Sequence, residues 1–409
     1  MIGNIVENNK NMTLLVIQEQ HFTKIHNGQV WVNETSDIKF WDRYLDVFEK
    51  VVVCARMEIR SDNDTKGLIR SDRPEVEFCA LPNFRGIGGV IKNINTIRKS
   101  IKNAISKSDC IIYRAPSPIS LVAYPIVKAS GKPFAVELMN NPLTQYSKES
   151  MNNVLQPLIR RVVTNQTKDM CQTANGVSYV TNRTLQELFP CRAITENSSN
   201  YFTSSYSTIR LDDADYRYKD FPTERPDPIV LVHGGKMNDY RKGQDLLIDC
   251  VKELRDLGYN VELNLMGTGL LLDKFKKKTV DLEIDCYVHF LGWKAGYKEV
   301  QEVLQNSHLF VFPSMGEGLP RSVIEAMANG LLPIASDVDG IVELLPQELM
   351  VHNFDKKSFI EKLKYVLDNW NECIALRNQT YQQSLKYKNT ILSEKRRAFY
   401  SSLKNCCNK

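Results

Sequence analysis

Short runs of β-branched and large apolar residues recur along the chain, separated by longer stretches in which apolar positions keep helical spacing. The runs at 13–17, 51–55, 110–113, 133–138 and 177–180 predict strands in the first half. Those at 229–233, 261–266, 288–291, 309–312 and 333–335 predict strands in the second. Unbroken apolar strands alternating with amphipathic helices suit a parallel sheet, whose crossover helices cover both faces. Two such series, each about as long as one doubly wound domain, predict an α/β protein with two Rossmann-like halves. Residues 197–228 between them are polar and lack a helical period. Pro222, Pro226 and Pro228 close that stretch, which puts the linker at 222–228. The domains expected are 1–221 and 222–385. A basic C-terminal helix over 386–409, carrying Lys395, Arg396, Arg397 and Lys404, is then free to pack back on the first domain.

Composition narrows the class. A chain of 409 residues fits two domains, and 43% hydrophobic with 25% charged residues is globular rather than disordered. A formal charge of +5 suits an anionic small molecule or an acidic membrane surface and is too weak to argue for nucleic acid. The start carries only a short apolar stretch at 14–17 behind Glu7 and Lys10, unlike a signal peptide, and no run approaches the ~18 apolar residues of a membrane span. Ten scattered cysteines show neither C-x-x-C nor zinc spacing, which leads us to expect reduced thiols, no bound metal and a cytoplasmic location.

The chemistry concentrates in the second half. A strand ending at Phe312 runs into Pro-Ser-Met-Gly-Glu-Gly-Leu-Pro (313–320), and a helix follows that Gly330 closes. Such a strand–loop–helix unit lies where open α/β sheets bind ligands. Gly316 and Gly318 would let a ligand approach the backbone, and the helix start offers N–H groups to an anion. Glu317 lies in the loop and Glu325 in the helix, about 7–8 Å along its axis from Pro320. The two suit separate anchors along one long polar ligand. A second loop, 233–243, presents Gly234, Gly235, Lys236, Lys242 and Gly243 after a strand. It is either a solvated basic turn or a cradle in which Lys236 and Lys242 hold a diphosphate. A third loop, with Gly267 and Gly269, is explained equally well by a tight turn.

Taken in order, these elements resemble the retaining glycosyltransferases of family 4, of GT-B architecture. They are Gly235, Lys236, Lys242 and Gly243, then the G-x-G at 267–269, then a strand ending at Gly292, then P-S-x-x-E-G…E-A-M-A-x-G from 313 to 330 with its E-x₇-E. The resemblance implies two Rossmann-like domains facing a central cleft, and a nucleotide-diphosphate sugar, UDP- or GDP-linked, bound by the second. Glu317 would take hexose hydroxyls and Glu325 ribose hydroxyls. Lys236 and Lys242 would neutralise the departing diphosphate. Ser314, Met315, Gly316, Gly318, Leu319, Gly267, Gly269 and Trp293 would line the donor, with no metal. Arg is common where Lys236 stands. The softer likeness of the first half is to bacterial surface-polysaccharide enzymes that extend a lipid-linked glycan. In the family the loop after the first strand, here with His26 and Gly28, would face the donor phosphates and the acceptor.

Other readings compete. D-x-D pairs at 62–64, 213–215 and 337–339 could hold a divalent cation, although turns and caps explain them better. Arg114 and Glu137 either touch acceptor or form a structural salt bridge. A basic helix over 89–108, with Ile91, Ile94, Ile97, Ile101 and Ile105 in one stripe, is either an ordinary surface helix or an anchor on the anionic inner face of the cytoplasmic membrane. Within the same architecture an epimerase or phosphorylase is the alternative enzyme, and a non-catalytic donor-binding scaffold the alternative outside catalysis.

Overall fold

Every expected apolar run becomes a strand of one of two sheets. The computed structural model describes residues 11–408 except 34, 63, 85, 152, 197–199, 219, 221–223 and 295. The first sheet contains β1 (Thr13–Ile25), β2 (Val30–Val32), β3 (Lys50–Arg60), β4 (Ile69–Arg70), β5 (Val76–Leu81), β6 (Cys110–Ala115), β7 (Phe134–Leu138), β8 (Gly176–Tyr179) and β9 (Phe202–Ser205). Its parallel core runs β5-β3-β1-β6-β7-β8-β9, and the short antiparallel β2 and β4 extend from the far half of β1. The second sheet is parallel throughout, in the order β12-β11-β10-β13-β14-β15. Its strands are β10 (Ile229–Gly234), β11 (Val261–Met266), β12 (Val288–Gly292), β13 (Leu309–Phe312), β14 (Leu332–Ser336) and β15 (Met350–Val351). Strands β6, β13 and β14 are buried along their whole length, as sheets covered on both faces require.

Three expectations are corrected. First, β1 does not end at 17. Its pairing with β3 shifts between Ile17 and His21, so 18–20 form a bulge and the strand continues to Ile25. His26 and Gly28 therefore sit in an exposed hairpin turn, where Gly28 has φ +92°. Second, the basic segment 89–108 is two helices, Gly86–Lys92 and Ile94–Ser106, broken at Asn93. Ile97, Ile101 and Ile105 are buried, whereas Ile91 is 66% exposed and off their stripe. Third, the chain joins the second domain before 222. The Arg217 N–H donates to the Ala328 carbonyl (2.9 Å), Gln301 donates to the Asp215 carbonyl (2.9 Å), and Tyr218 packs on Tyr381. Tyr216 and Tyr218 give this polar stretch aromatic anchors that a search for prolines passes over. Of the linker placed at 222–228, residues 222 and 223 lie outside the described ones.

The last helix, Asn389–Cys406, crosses back and closes the first domain. Arg396 donates to the carbonyls of Ser207 (3.3 Å) and Ile209 (3.1 Å), and Lys404 to that of Val47 (2.9 Å). Tyr400 reaches Glu137 (2.6 Å), which also accepts from Tyr44 and Tyr206 (3.1 Å each) and pairs with Arg114 (3.0 Å). Glu137 is thus a buried structural anion beneath the helix and does not reach the cleft. Burial pushes its carboxyl up, but Arg114 and the hydroxyls of Tyr400 and Tyr44 outweigh that and hold it below the ordinary value. Its contribution to stability is therefore complete above the unfolded-state value and lost as pH falls through the lower folded one. Glu137→Gln, which leaves Arg114 buried without a counter-charge, is expected to cost about 3–5 kcal/mol. Calorimetric melting should show that loss at neutral pH, and a shallower acid limb than in the parent.

Candidate functional site

In each sheet the strand order reverses beside its first strand, between β1 and β6 and between β10 and β13. Open α/β sheets bind ligands outside the carboxyl ends at such switch points. Here the two switch points face each other across one cleft of about 860 Å³. Gln18, Glu19, Gln20, Arg114, Asn140 and Gln145 line it from the first domain. Gly234, Gly235, Lys236, Lys242, Gly267, Trp293, Glu317, Gly318, Leu319 and Glu325 line it from the second.

The lysine loop is built by its own hydrogen bonds. The Gln244 side chain, at the first turn of the helix Gln244–Asp256, donates to the carbonyls of Gly235 (3.3 Å) and Lys236 (3.2 Å). Asp239 holds the Arg241 side chain (2.9 Å). This leaves Lys242 beside Phe312, its Nζ 5.2 Å from the ring centre, and ion-paired with Glu317 Oε1. Ser314, wholly buried, donates to that same oxygen (2.8 Å). Glu317 is 12% exposed and its Oε2 is engaged by neither partner. Glu325 stands on the helix Arg321–Ala328, for which Pro320 is the N-cap rather than the first turn. Burial pushes its carboxyl above the usual range, with Arg321 pulling the other way. At the end of β10, His233 is buried and stacks on Phe312. Its Nδ1–H donates to the Val311 carbonyl (2.9 Å), and burial pushes its pKa down to about 4, so the ring is neutral.

Several predicted residues do other work. Ser314, Met315 and Gly316 do not line the cleft. The N–H of Met315 is taken by the Arg241 carbonyl (2.9 Å), and that of Glu317 by Asp339 (3.0 Å). A Cβ on Gly316 would fall 2.5 Å from Thr144, and one on Gly318 would fall 2.0 Å from the Met139 carbonyl. These glycines admit the first domain to the loop, where the sequence suggested a ligand. Gly269 lies off the cleft against the backbone of Met237. Of the four first-domain candidates only Arg114 lines the cleft; His26, Gly28 and Glu137 do not.

The bulge in β1 supplies what was missed. It turns Gln18–Glu19–Gln20 into the cleft, as bulges beside sites often do. Glu19 pairs with Arg56, and Gln18 accepts from Arg114 (3.0 Å). Glu19 Oε2 and Gln18 Nε2 are buried without partners among the described residues. A polar Gln-Glu-Gln triplet interrupting an apolar strand was the available signal. Nothing in the sequence marked Arg210, which reaches the cleft from the segment after β9 and pairs with Asp37 (3.3 Å).

Carboxylates of the D-x-D pairs are bound to protein. Asp62 accepts from the Asn27 N–H, Asp213 pairs with Lys388, and Asp337 faces His352 (2.6 Å). Asp339 bridges the domains: it accepts from Asn141 Nδ2 (2.7 Å) and Thr144 Oγ1 (2.8 Å) of the first, and from the Glu317 N–H of the second. One turn on, Glu343 accepts the N–H groups of Asn182 (2.6 Å), Arg183 (3.0 Å) and Thr184 (2.7 Å).

Comparison with known proteins now bears on this geometry. Residues 217–383 match the family model for glycosyl transferases group 1. Over 353 residues the chain is 24% identical to Protein CapJ of Staphylococcus aureus, covering 86% of this chain and 84% of that one. A Campylobacter jejuni N,N'-diacetylbacillosaminyl-diphospho-undecaprenol alpha-1,3-N-acetylgalactosaminyltransferase is 32% identical over 111 residues, 26% of this chain and 29% of that enzyme. Among solved structures, sucrose-phosphate synthase from Thermosynechococcus elongatus superposes with a TM-score of 0.71 at 14% identity, covering 97% of this chain and all of that one. Anabaena HepE, in complex with UDP and glucose, superposes at 0.64 and 15% identity, covering 96% of this chain and all of that one. The fold is GT-B.

The bridge at Asp339 can be tested by itself. This residue has φ +44°, which glycine adopts without strain, so Asp339→Gly removes the carboxylate alone. We expect a loss of about 1.5–3 kcal/mol of coupling between the domains, seen as separation of their melting transitions in scanning calorimetry.

Proposed function

We propose that this chain is a metal-independent family 4 glycosyltransferase. It moves a hexose from a nucleotide-diphosphate sugar to a growing, lipid-linked glycan of surface-polysaccharide biosynthesis, with retention of configuration. The observation that carries this reading is the convergence of Lys242, Glu317 and Glu325 on one wall of an inter-domain cleft, at the switch point of the second sheet. The group 1 match over that domain supports it, as do CapJ and the undecaprenol-linked relative.

Breaking the bond between the anomeric carbon and the diphosphate oxygen leaves positive charge on the sugar and negative charge on the diphosphate. Lys242 and Lys236 stand where that negative charge grows, in a partly buried site where fixed cations act strongly. With its Oε1 held by Lys242 and Ser314, Glu317 offers Oε2 to hexose hydroxyls, and this fixes the sugar relative to the leaving group. Glu325, on the helix behind, takes the ribose hydroxyls. Facing them, Gln18, Glu19, Gln145 and Arg114 supply donors and acceptors for the acceptor glycan, whose hydroxyl proton passes to the departing diphosphate oxygen.

A screen of UDP- and GDP-sugars by calorimetry, with and without EDTA, tests donor and metal together. Stabilisation that EDTA abolishes would overturn metal independence. Lys242→Ala is expected to lower the transfer rate 10²–10³-fold in a radiolabelled-donor assay. Glu317→Ala is expected to abolish transfer while the far-ultraviolet circular dichroism stays that of the parent, and unchanged turnover in it would remove the assignment. Free altered sugar formed without an acceptor would instead identify an epimerase.

The raised pKa of Glu325 gives a separate test. Ribose hydroxyls donating to the carboxylate favour its charged form, so donor binding should tighten as pH rises through that value. Titration calorimetry with the nucleotide at several pH values should show this trend, and Glu325→Gln should flatten it.

A further inference from the structure

The first-domain wall of the cleft carries more positive charge than the fold itself uses. The helical segment 38–45 opens on Asp37, whose carboxylate accepts the Phe40 N–H (2.9 Å). Asp37, Phe40 and Arg43 follow at three-residue spacing, so successive turns present them on one side, and all three line the cleft. Arg43 lies over the Phe40 ring, 4.1 Å from its centre, and Arg114 lies 5.0 Å from the same centre. Arg210 joins the patch from the segment after β9 by pairing with Asp37 (3.3 Å). Arg396 holds the carbonyls of Ser207 and Ile209, which fixes the backbone just before Arg210.

Counter-charge runs short here. Arg114 pairs with Glu137 and Arg210 with Asp37. The other carboxylates nearby are taken, Glu19 by Arg56, Asp42 by Arg73 (2.6 Å) and Asp46 by Arg397 (3.4 Å). Among the described residues none pairs with Arg43, whose contact is the Phe40 ring. Burial first, and then the like charge of Arg43, push the Arg396 guanidinium down to about 10, so the excess is felt inside the domain. Like charges gathered in a half-buried site repel one another, and folding does not account for leaving one of them unmatched. A ligand with negative charge does.

We infer that Arg43 and Arg210, with Arg114 beside them, form a subsite for an anionic group carried by the acceptor, a carboxylate or a phosphoryl group. Planar guanidinium forks match both groups bidentately. The inference rests on the reading above that this wall binds the acceptor glycan, and it narrows that substrate to a charged one. The donor's diphosphate is served from the other wall by Lys236 and Lys242, so it does not account for these arginines. Asp37, by pairing with Arg210, competes with the incoming anion and sets how tightly it is held.

The test is titration calorimetry of the full chain with methyl glucuronide, glucose 1-phosphate and the neutral methyl glucoside. The tighter of the two anions identifies whether the acceptor's charge is a carboxylate or a phosphoryl group, and the glucoside is expected to bind about tenfold more weakly than it, or worse. Arg43→Gln should weaken anion binding about 10–100-fold and Arg43→Lys less, with circular dichroism unchanged. Asp37→Asn keeps a helix-capping side chain and removes the competing charge, so it should tighten anion binding, a gain that a merely structural role for Asp37 does not produce. Equal affinity for charged and neutral sugars, no binding of either anion at millimolar concentration, or no effect of Arg43→Gln overturns the inference. So does displacement of the anion by saturating UDP, since the arginines would then belong to the donor. A chain that binds the anions through Arg43 but binds no nucleotide sugar keeps this subsite and removes the reaction proposed above.

Discussion

Two carboxylates of one short helix couple the two halves of this molecule, and one of them reaches the cleft's central acid. Asp339, of the second domain, accepts from the Glu317 N–H beside it and from Asn141 and Thr144 of the first domain, so the carboxylate that holds the peptide of the central acid also reaches the opposite wall. Burial pushes the Asp339 carboxyl above its ordinary range, while the Asn141 and Thr144 bonds work the other way. The bridge is therefore partly offset by desolvation. Such a contact suits an interface that holds two domains in register without fusing them.

Glu343 shows the complementary case. Burial raises its pKa as well, but the N–H groups of 182–184 outweigh that and leave it below the ordinary value. Charge-assisted bonds to backbone donors make this the firmer of the two contacts. Both carboxylates belong to the short 3₁₀ helix Asp339–Glu343. It meets the loop after β7 through Asp339 and the loop after β8 through Glu343. The glycines of the loop that carries Glu317 belong to the same joint, because Thr144 and the Met139 carbonyl occupy the space where their side chains would stand.

The central parallel strands were legible because burial on both faces leaves unbroken apolar runs, and β6 and β13 show it most plainly. Strands β4 and β9 were not: both residues of β4 are exposed and β9 is half-exposed, so neither carries an apolar run. In the second domain the site was legible where one local unit carries it, as in 233–243 and 313–330. It was not legible where the partner comes from far along the chain. Nothing around Gly318 announces Met139, and nothing around Glu137 announces Tyr400, 263 positions away. Motif spacing encodes local backbone geometry, and a glycine kept for a ligand has the same sequence as one kept for a neighbouring domain.

The path of the chain explains why those distant contacts exist. It leaves the first domain after Leu211, builds the second, and returns at Asn389, whose N–H donates to the Leu211 carbonyl (2.8 Å) and whose side chain donates to Asp212 (2.9 Å). Departure and return are thus bonded together, and the two crossings act as one pivot. The domains are joined on one side by this pivot and on the other by Asp339 and Glu343, with the cleft between their sheets. A rotation about the pivot that widens the cleft works against the carboxylate contacts, and Asp339 joins them to the Glu317 N–H. The position of the Glu317 loop and the closure of the cleft are consequently linked through these hydrogen bonds.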